Sequence, residues 1–207
     1  MKIFYDLGTH LFGGLEEFNK TYNFDRTWKI YCFEANPYTY ELAKQKIAST
    51  QWLQDLDIEL YNAAISDKEG TVEVDCYFDN NEQDYTDVGS NTFNLKNDYF
   101  KGIWPEMYDR LGETFCQTRS VPSICFSEFL DKNTKYGDEV HIKMDIEGGE
   151  FATLSEMVNN NTHTLVKQMY IEWHERFWPE ELDRYTGWKN AIMERLIEDK
   201  IDAKIWW

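Results

Sequence analysis

Apolar residues along this chain fall into short dense runs, each closed by a polar or glycine-bearing turn. "KIFYDLG" (2–8) reads as a buried strand ending in an acid and a glycine, and "GGLEEFNKTY" then opens a helix. "WKIYCFEANP" (28–37) is a second strand that ends at Glu34, because Pro37 cannot continue a ladder. "YTYELAKQKIAS" puts Tyr40, Ala43 and Ile47 on one helical face, and "IELYNAAIS" (58–66) reads as a third strand. "TVEVDCYF" (71–78) alternates as a strand with one wet face. Residues 79–100 show no clear period, and a loop of that length in a compact domain is usually functional or mobile. A short helix over 101–111, the segment "TRSVPSICF" and a helical "FSEFLDK" follow. The remaining pattern predicts a strand over 138–146, a helix over 149–159, a strand over 165–175, a long helix over 179–200 and a last strand, "DAKIWW". Strands alternating with helices imply an α/β fold with a mostly parallel sheet and helices on both faces. Without a Pro/Ser linker or internal repeat, residues 1–207 read as one domain, with 79–115 inserted as a candidate lid.

Composition narrows the partners. The 207 residues are 42% hydrophobic and 16% aromatic, enough for a proper core. The net charge of −17, from 38 acids against 21 bases, repels nucleic-acid phosphates and anionic membranes, so nucleic acid is an unlikely partner. No run approaches 18 apolar residues, so no membrane span is expected. Cys32, Cys76, Cys116 and Cys125 lack metal-ligand spacing, and they read as reduced thiols of a cytoplasmic protein.

Two features need a chemical reason. In "YDLGTHLFGG" a strand ends Asp-x-Gly before a glycine-bearing turn and a helix, which lets backbone approach a nucleotide-like ligand. The glycines do not match G-x-G-x-x-G, the arrangement that seats a pyrophosphate, and Glu34 at the tip of the next strand suits ribose hydroxyls. A ribose-bearing ligand without phosphate fits better, and S-adenosylmethionine is the common one. The second feature is "HIKMDIEGGE" (141–150), where His141, Lys143 and Asp145 share one face of a strand that otherwise reads as buried. "QMYIEWHE" repeats the design with Tyr170, Glu172 and His174. In parallel neighbouring strands Asp145 converges with Glu172 or His174 at the carboxyl edge, where open α/β sheets bind ligands. Glu150 would sit at the positive end of the following helix.

"IKMDIEGGE", together with "SVPSICFSEFLDK", "NAAISDKEGTVEV", "GSNTF" and "IEWHE", resembles the FkbM family of class I S-adenosylmethionine-dependent methyltransferases. The likeness runs from about Asp6 to His174. It implies the Rossmann-like class I methyltransferase fold, with Asp6, Gly8 and the turn through Thr9, His10 and Gly13 around the methionine part of the cofactor. Glu34 would hold the ribose, Ala35, Asn36, Asn62 and Ala63 would line the adenine pocket, and Asp145 would sit near the sulfonium. The family's acceptors are often hydroxyls of sugars or natural products.

Methyl transfer to oxygen also needs the hydroxyl proton removed. His174 or Asp145 is the expected base, with Glu172 orienting and Lys143 neutralising the acids. A divalent metal on Asp145 and Glu172 is a less favoured alternative. Aromatic residues, Trp178 among them, and a lid carrying Ser90 and Asn91 would face the acceptor. A sugar of a glycan is the expected acceptor, and the chain would serve a larger multidomain or multi-enzyme glycan pathway. Another hydroxylated acceptor (a natural product or a nucleic-acid ribose) and a non-catalytic glycan- or protein-binding module are the alternatives.

Overall fold

The structure is a computed structural model that describes residues 1–77, 90–91 and 116–206, with Tyr77, Ser90, Asn91, Cys116 and Gln117 by backbone alone. Its central sheet has six strands in the order β10-β9-β8-β1-β2-β3. These are β1 (Lys2–Leu7), β2 (Trp28–Glu34), β3 (Asp57–Asn62), β8 (Glu139–Met144), β9 (Gln168–Ile171) and β10 (Asp202–Ile205), and every pairing is parallel. Strand order runs outward in both directions from β1, so β1 and β8 flank the topological switch point. The crevice beyond their carboxyl ends is where such sheets take ligands.

Both faces of the sheet are covered. Ile3, Tyr5, Leu7, Ile142 and Met144 point into one core, shared with Phe126 and Leu130 of α4 (Phe126–Asn133), Phe151 and Leu154 of α5 (Glu150–Asn159) and Leu196 of α6 (Leu182–Glu198). Phe4, Ile30 and Cys32 point into the other, against Leu15 and Phe18 of α1 (Gly13–Tyr22), Ala43 of α2 (Pro37–Ser49) and Leu53 of the short α3 (Gln51–Gln54). This two-sided burial explains why the central strands read as apolar runs rather than as alternations.

A second sheet was not expected from the pattern. β4 (Ala64–Ser66), β5 (Gly70–Tyr77), β6 (Ser90–Asn91) and β7 (Cys116–Cys125) pair in the order β4-β7-β5-β6. The run read as one strand over 58–66 is therefore two, broken at the buried Ala63. The Asn62 side chain donates to the carbonyls of Glu34 (2.9 Å) and Ala35 (3.3 Å), tying down the end of β3 where the chain leaves the central sheet. Two further strands are shorter than expected: 138–146 narrows to 139–144 and 165–175 to 168–171. Asp145, Glu172 and His174 thus lie on the turns beyond β8 and β9, not within the strands. Apart from the β6 backbone, the proposed lid over 79–115 and the short helix over 101–111 lie outside the described residues. No helix among the described residues is long and apolar enough to cross a membrane.

Candidate active site

The switch point gathers charge. Asp6 and Lys143 are register partners across β1 and β8, and both are buried. Burying a lone ammonium costs several kcal/mol, and Lys143 avoids this by donating to the Gly8 carbonyl at 2.5 Å. It also lies 3.3 Å from Asp145 Oδ2 and 3.5 Å from Asp6 Oδ1, with the Trp206 ring 5.1 Å away. Burial opposes its charge, but Asp145 and Asp6 outweigh that and raise its pKa. Lys143 is the counter-ion that lets two acids approach the same edge.

The glycine turn is built by close approach. Gly8 has a φ of +77°, and a Cβ there would lie 1.7 Å from the Asp145 carbonyl oxygen, so no side chain fits. The Gly8 and Thr9 amides both donate to the Phe33 carbonyl, and the Thr9 hydroxyl donates to Asp6 Oδ2 at 2.6 Å. His10 and Phe12 follow with positive φ, while a Cβ at Gly13 would meet nothing within 4 Å among the described residues. Asp6 Oδ1 remains buried without a hydrogen-bond partner among the described residues.

Glu34 closes this turn from the neighbouring strand. Its carboxyl accepts the His10 amide (2.9 Å) through one oxygen and the Asn36 amide (2.8 Å) through the other. Burial pushes the Glu34 pKa up to about 7, against the opposing pull of those two amides. Asn36 caps α2 by accepting the Tyr38 amide, and the Asn62 bonds described above bring Asn36, Asn62 and Ala63 to the same corner.

On the other side of the switch point, the turn Glu147–Gly148 carries two positive φ values, 52° and 102°. For a non-glycine residue this conformation costs about 1–2 kcal/mol. Glu150 compensates at the turn by accepting the amides of Ile146 and Gly148 at 3.0–3.2 Å. Glu150 Oε1 also lies 2.9 Å from Nδ1 of His174, and both side chains are fully buried. The other ring nitrogen, Nε2, lies 3.2 Å from Glu147 Oε2, 3.6 Å from Glu172 Oε1 and 3.8 Å from Asp145 Oδ1. None of these oxygens meets it in hydrogen-bonding geometry. Burial disfavours charge on the ring, but Glu150 and Glu147 overcome it and push the His174 pKa up to about 11. Glu172 is raised by burial and then by Asp145, while Arg176 at 3.2 Å works the other way.

The sequence-predicted residues therefore meet in two groups. Asp6, Gly8, Thr9, His10, Glu34, Asn36, Asn62 and Ala63 surround the β1–β2 end, and Asp145, Glu172 and His174 meet beyond β8 and β9. Lys143 joins the two groups. Trp178 lies in an aromatic cluster, stacked on Tyr185 at 4.0 Å with Phe151 at its edge, so packing accounts for its ring. The side chains of Ser90 and Asn91 lie outside the described residues. The sequence marks Glu147 as a charged residue of this edge without giving it a role, and it does not show the tie from Glu150 to His174. The only signal for either is the "IEGGE" run itself, since nothing local links residues 24 positions apart.

The family model described as Methyltransferase FkbM domain matches residues 6–197. Among solved structures, a methyltransferase FkbM from Methylobacillus flagellatus KT aligns over 93% of this chain with 13% identity and a TM-score of 0.49. The chain spans 37% of that protein's length. No curated protein sequence matches the chain.

Proposed function

From the premise that the chain belongs to the FkbM methyltransferase domain family, we propose that it is an S-adenosylmethionine-dependent O-methyltransferase acting on a sugar hydroxyl of a glycan or glycoconjugate. The observation that carries this reading is the convergence of Asp6, Glu34, Lys143, Asp145 and His174 at the carboxyl edge around one switch point.

The residues present fit the cofactor. Gly8 lets the turn close on the Asp145 carbonyl, Gly13 faces space free of the described residues, and Asp6 Oδ1, which faces Lys143 at 3.5 Å without a hydrogen bond, can accept from an ammonium or a water. Glu34 has one amide on each oxygen, which leaves a lone pair on each for ribose hydroxyls. Asp6, Gly8, Thr9, His10 and Gly13 would hold the methionine part, and Ala35, Asn36, Asn62 and Ala63 the adenine. S-adenosylmethionine supplies a methyl group activated on a sulfonium. The chain's own work is to position the acceptor, exclude water and receive the hydroxyl proton.

That last role falls to the carboxylates. A histidine with its pKa near 11 already holds its proton at neutral pH, so it orients the acids around it rather than acting as base. Glu172, whose carboxyl is raised, and Asp145 are the acceptors of the proton. Carboxylates also grip sugar hydroxyls, and a net charge of −17 favours a neutral acceptor over a polyanion.

The test is transfer of a labelled methyl group from S-adenosylmethionine to a panel of neutral deoxysugar glycosides, polyol natural products and oligoribonucleotides. Transfer to the glycosides, falling about 100-fold or more in Asp145→Asn, is the expected result. Labelling of oligoribonucleotides alone would overturn the sugar acceptor. No transfer to any member of the panel by folded protein would overturn the catalytic reading.

A further inference from the structure

We infer that Asp145, Glu147 and His174 form a binding site for one divalent cation of the Mn²⁺ type, with Glu172 beside it. The cation's use in catalysis rests on the methyltransferase reading, whereas the geometry stands apart from it.

The strongest sign is the ring of His174. It is fully buried, its Nε2 has no hydrogen-bond partner among the described residues, and it points into three carboxylates at 3.2, 3.6 and 3.8 Å. A buried polar atom left without a partner costs about 1–3 kcal/mol, and a cation shared by the ring and the acids would take the place of the proton on Nε2. One ligand atom each from Asp145, Glu147 and His174 lies within 4.8 Å of the others. A cation bound at about 2.1–2.3 Å holds neighbouring ligands roughly 3 Å apart. The observed separations need only a modest contraction.

The support around the ring is what a metal-ligating histidine requires. Glu150 engages Nδ1 and is itself pinned by the Ile146 and Gly148 amides, which fixes the ring with Nε2 outward. Glu147 reaches the site from a left-handed backbone conformation. The nearby cations leave these acids short of positive charge. Lys143 faces Asp145 through Oδ2, the oxygen other than the one nearest His174, and Arg176 is engaged with Glu172. One imidazole among carboxylates, with no thiol, suits Mn²⁺ or a similar borderline-hard ion rather than a soft one. Asp145, Glu147 and Glu172 each keep part of their side chain exposed, which leaves coordination positions for water or for an acceptor hydroxyl. A hydroxyl held there would be made more acidic, with Glu172 placed to take its proton.

The experiment is titration of the full chain with Mn²⁺, following the electron paramagnetic resonance signal of the free ion. One equivalent should be taken up, and Glu147→Gln, a partly exposed change with little risk to folding, should weaken binding at least tenfold. Glu34→Ala, on the cofactor side, should bind Mn²⁺ as the wild type does. No uptake at millimolar Mn²⁺, or uptake unaltered by both Glu147→Gln and Asp145→Asn, overturns the site. Methyl transfer undiminished in excess chelator overturns the cation's use in catalysis while leaving the methyltransferase intact. Mn²⁺ uptake by a chain that transfers no methyl group supports the site and removes only the methyltransferase reading.

Discussion

The two ends of the central sheet each bury a histidine, and they treat it in opposite ways. Towards the amino end, His141 of β8 has both ring nitrogens engaged, Nδ1 with the Tyr22 hydroxyl at 3.1 Å and Nε2 with Glu139 at 3.2 Å. Tyr22 goes on to Gln168 and Tyr170, closing a polar network within an aromatic cluster. Burial there lowers the His141 pKa and favours the neutral ring. Beyond the carboxyl end, His174 is held by Glu150 on one side, faces three more acids on the other and keeps an unpartnered nitrogen. A third buried histidine, His163, pairs with the Met157 carbonyl and Asp199 and so belongs with His141. A buried polar side chain is therefore no sign of function in itself. The sign is a buried polar side chain whose valence is left open in a place ligands can reach.

The largest effect expected from this contrast is at Gly8. Its hypothetical Cβ overlaps a backbone oxygen that cannot move aside, and its φ is left-handed, so Gly8→Ala should cost about 4 kcal/mol or more, or prevent folding. Gly13→Ala, with open space at the same turn, should change stability by less than about 1 kcal/mol in chemical denaturation. Equal losses at the two glycines would remove the argument that β1 and β8 close tightly around the switch point.

The two histidines should also leave opposite marks on stability against pH. His174 has its pKa raised in the fold, so its contribution is complete below about 6.5, the unfolded value, and fades as pH rises towards 11. His141 has its pKa lowered, so its contribution is complete above that unfolded value and is lost as pH falls through it. Denaturation midpoints of His174→Gln should therefore lose the alkaline decline, and those of His141→Gln the acid decline near pH 6. The same slope change in both variants would contradict the assignment of one charged and one neutral ring.

Much of this was legible in the sequence because parallel strands buried on both faces leave dense apolar runs. Their ends were marked by Asp6-x-Gly8, by Glu34 before Pro37 and by Asp145 before the glycine pair. What could not be read was longer in range. Asp145 and His174 lie beyond their strands, so alternation alone did not dictate which groups meet; that depends on the Glu147–Gly148 turn and on Glu150. The second sheet was hidden because β4 has three residues, too few to show a period, and it follows β3 after a single alanine. His174 is an ordinary base by its residue type, and only the ring of acids around it changes its charge.

The central claim, that the carboxyl edge at β1 and β2 holds the cofactor, is tested most directly by isothermal titration with S-adenosylhomocysteine. Wild type should be compared with Glu34→Ala at the carboxyl edge and Tyr22→Phe in the amino-end network. The account predicts micromolar binding by the wild type, at least a tenfold loss in Glu34→Ala, and unchanged affinity in Tyr22→Phe. No binding by folded wild type, or equal binding by all three proteins, would contradict it.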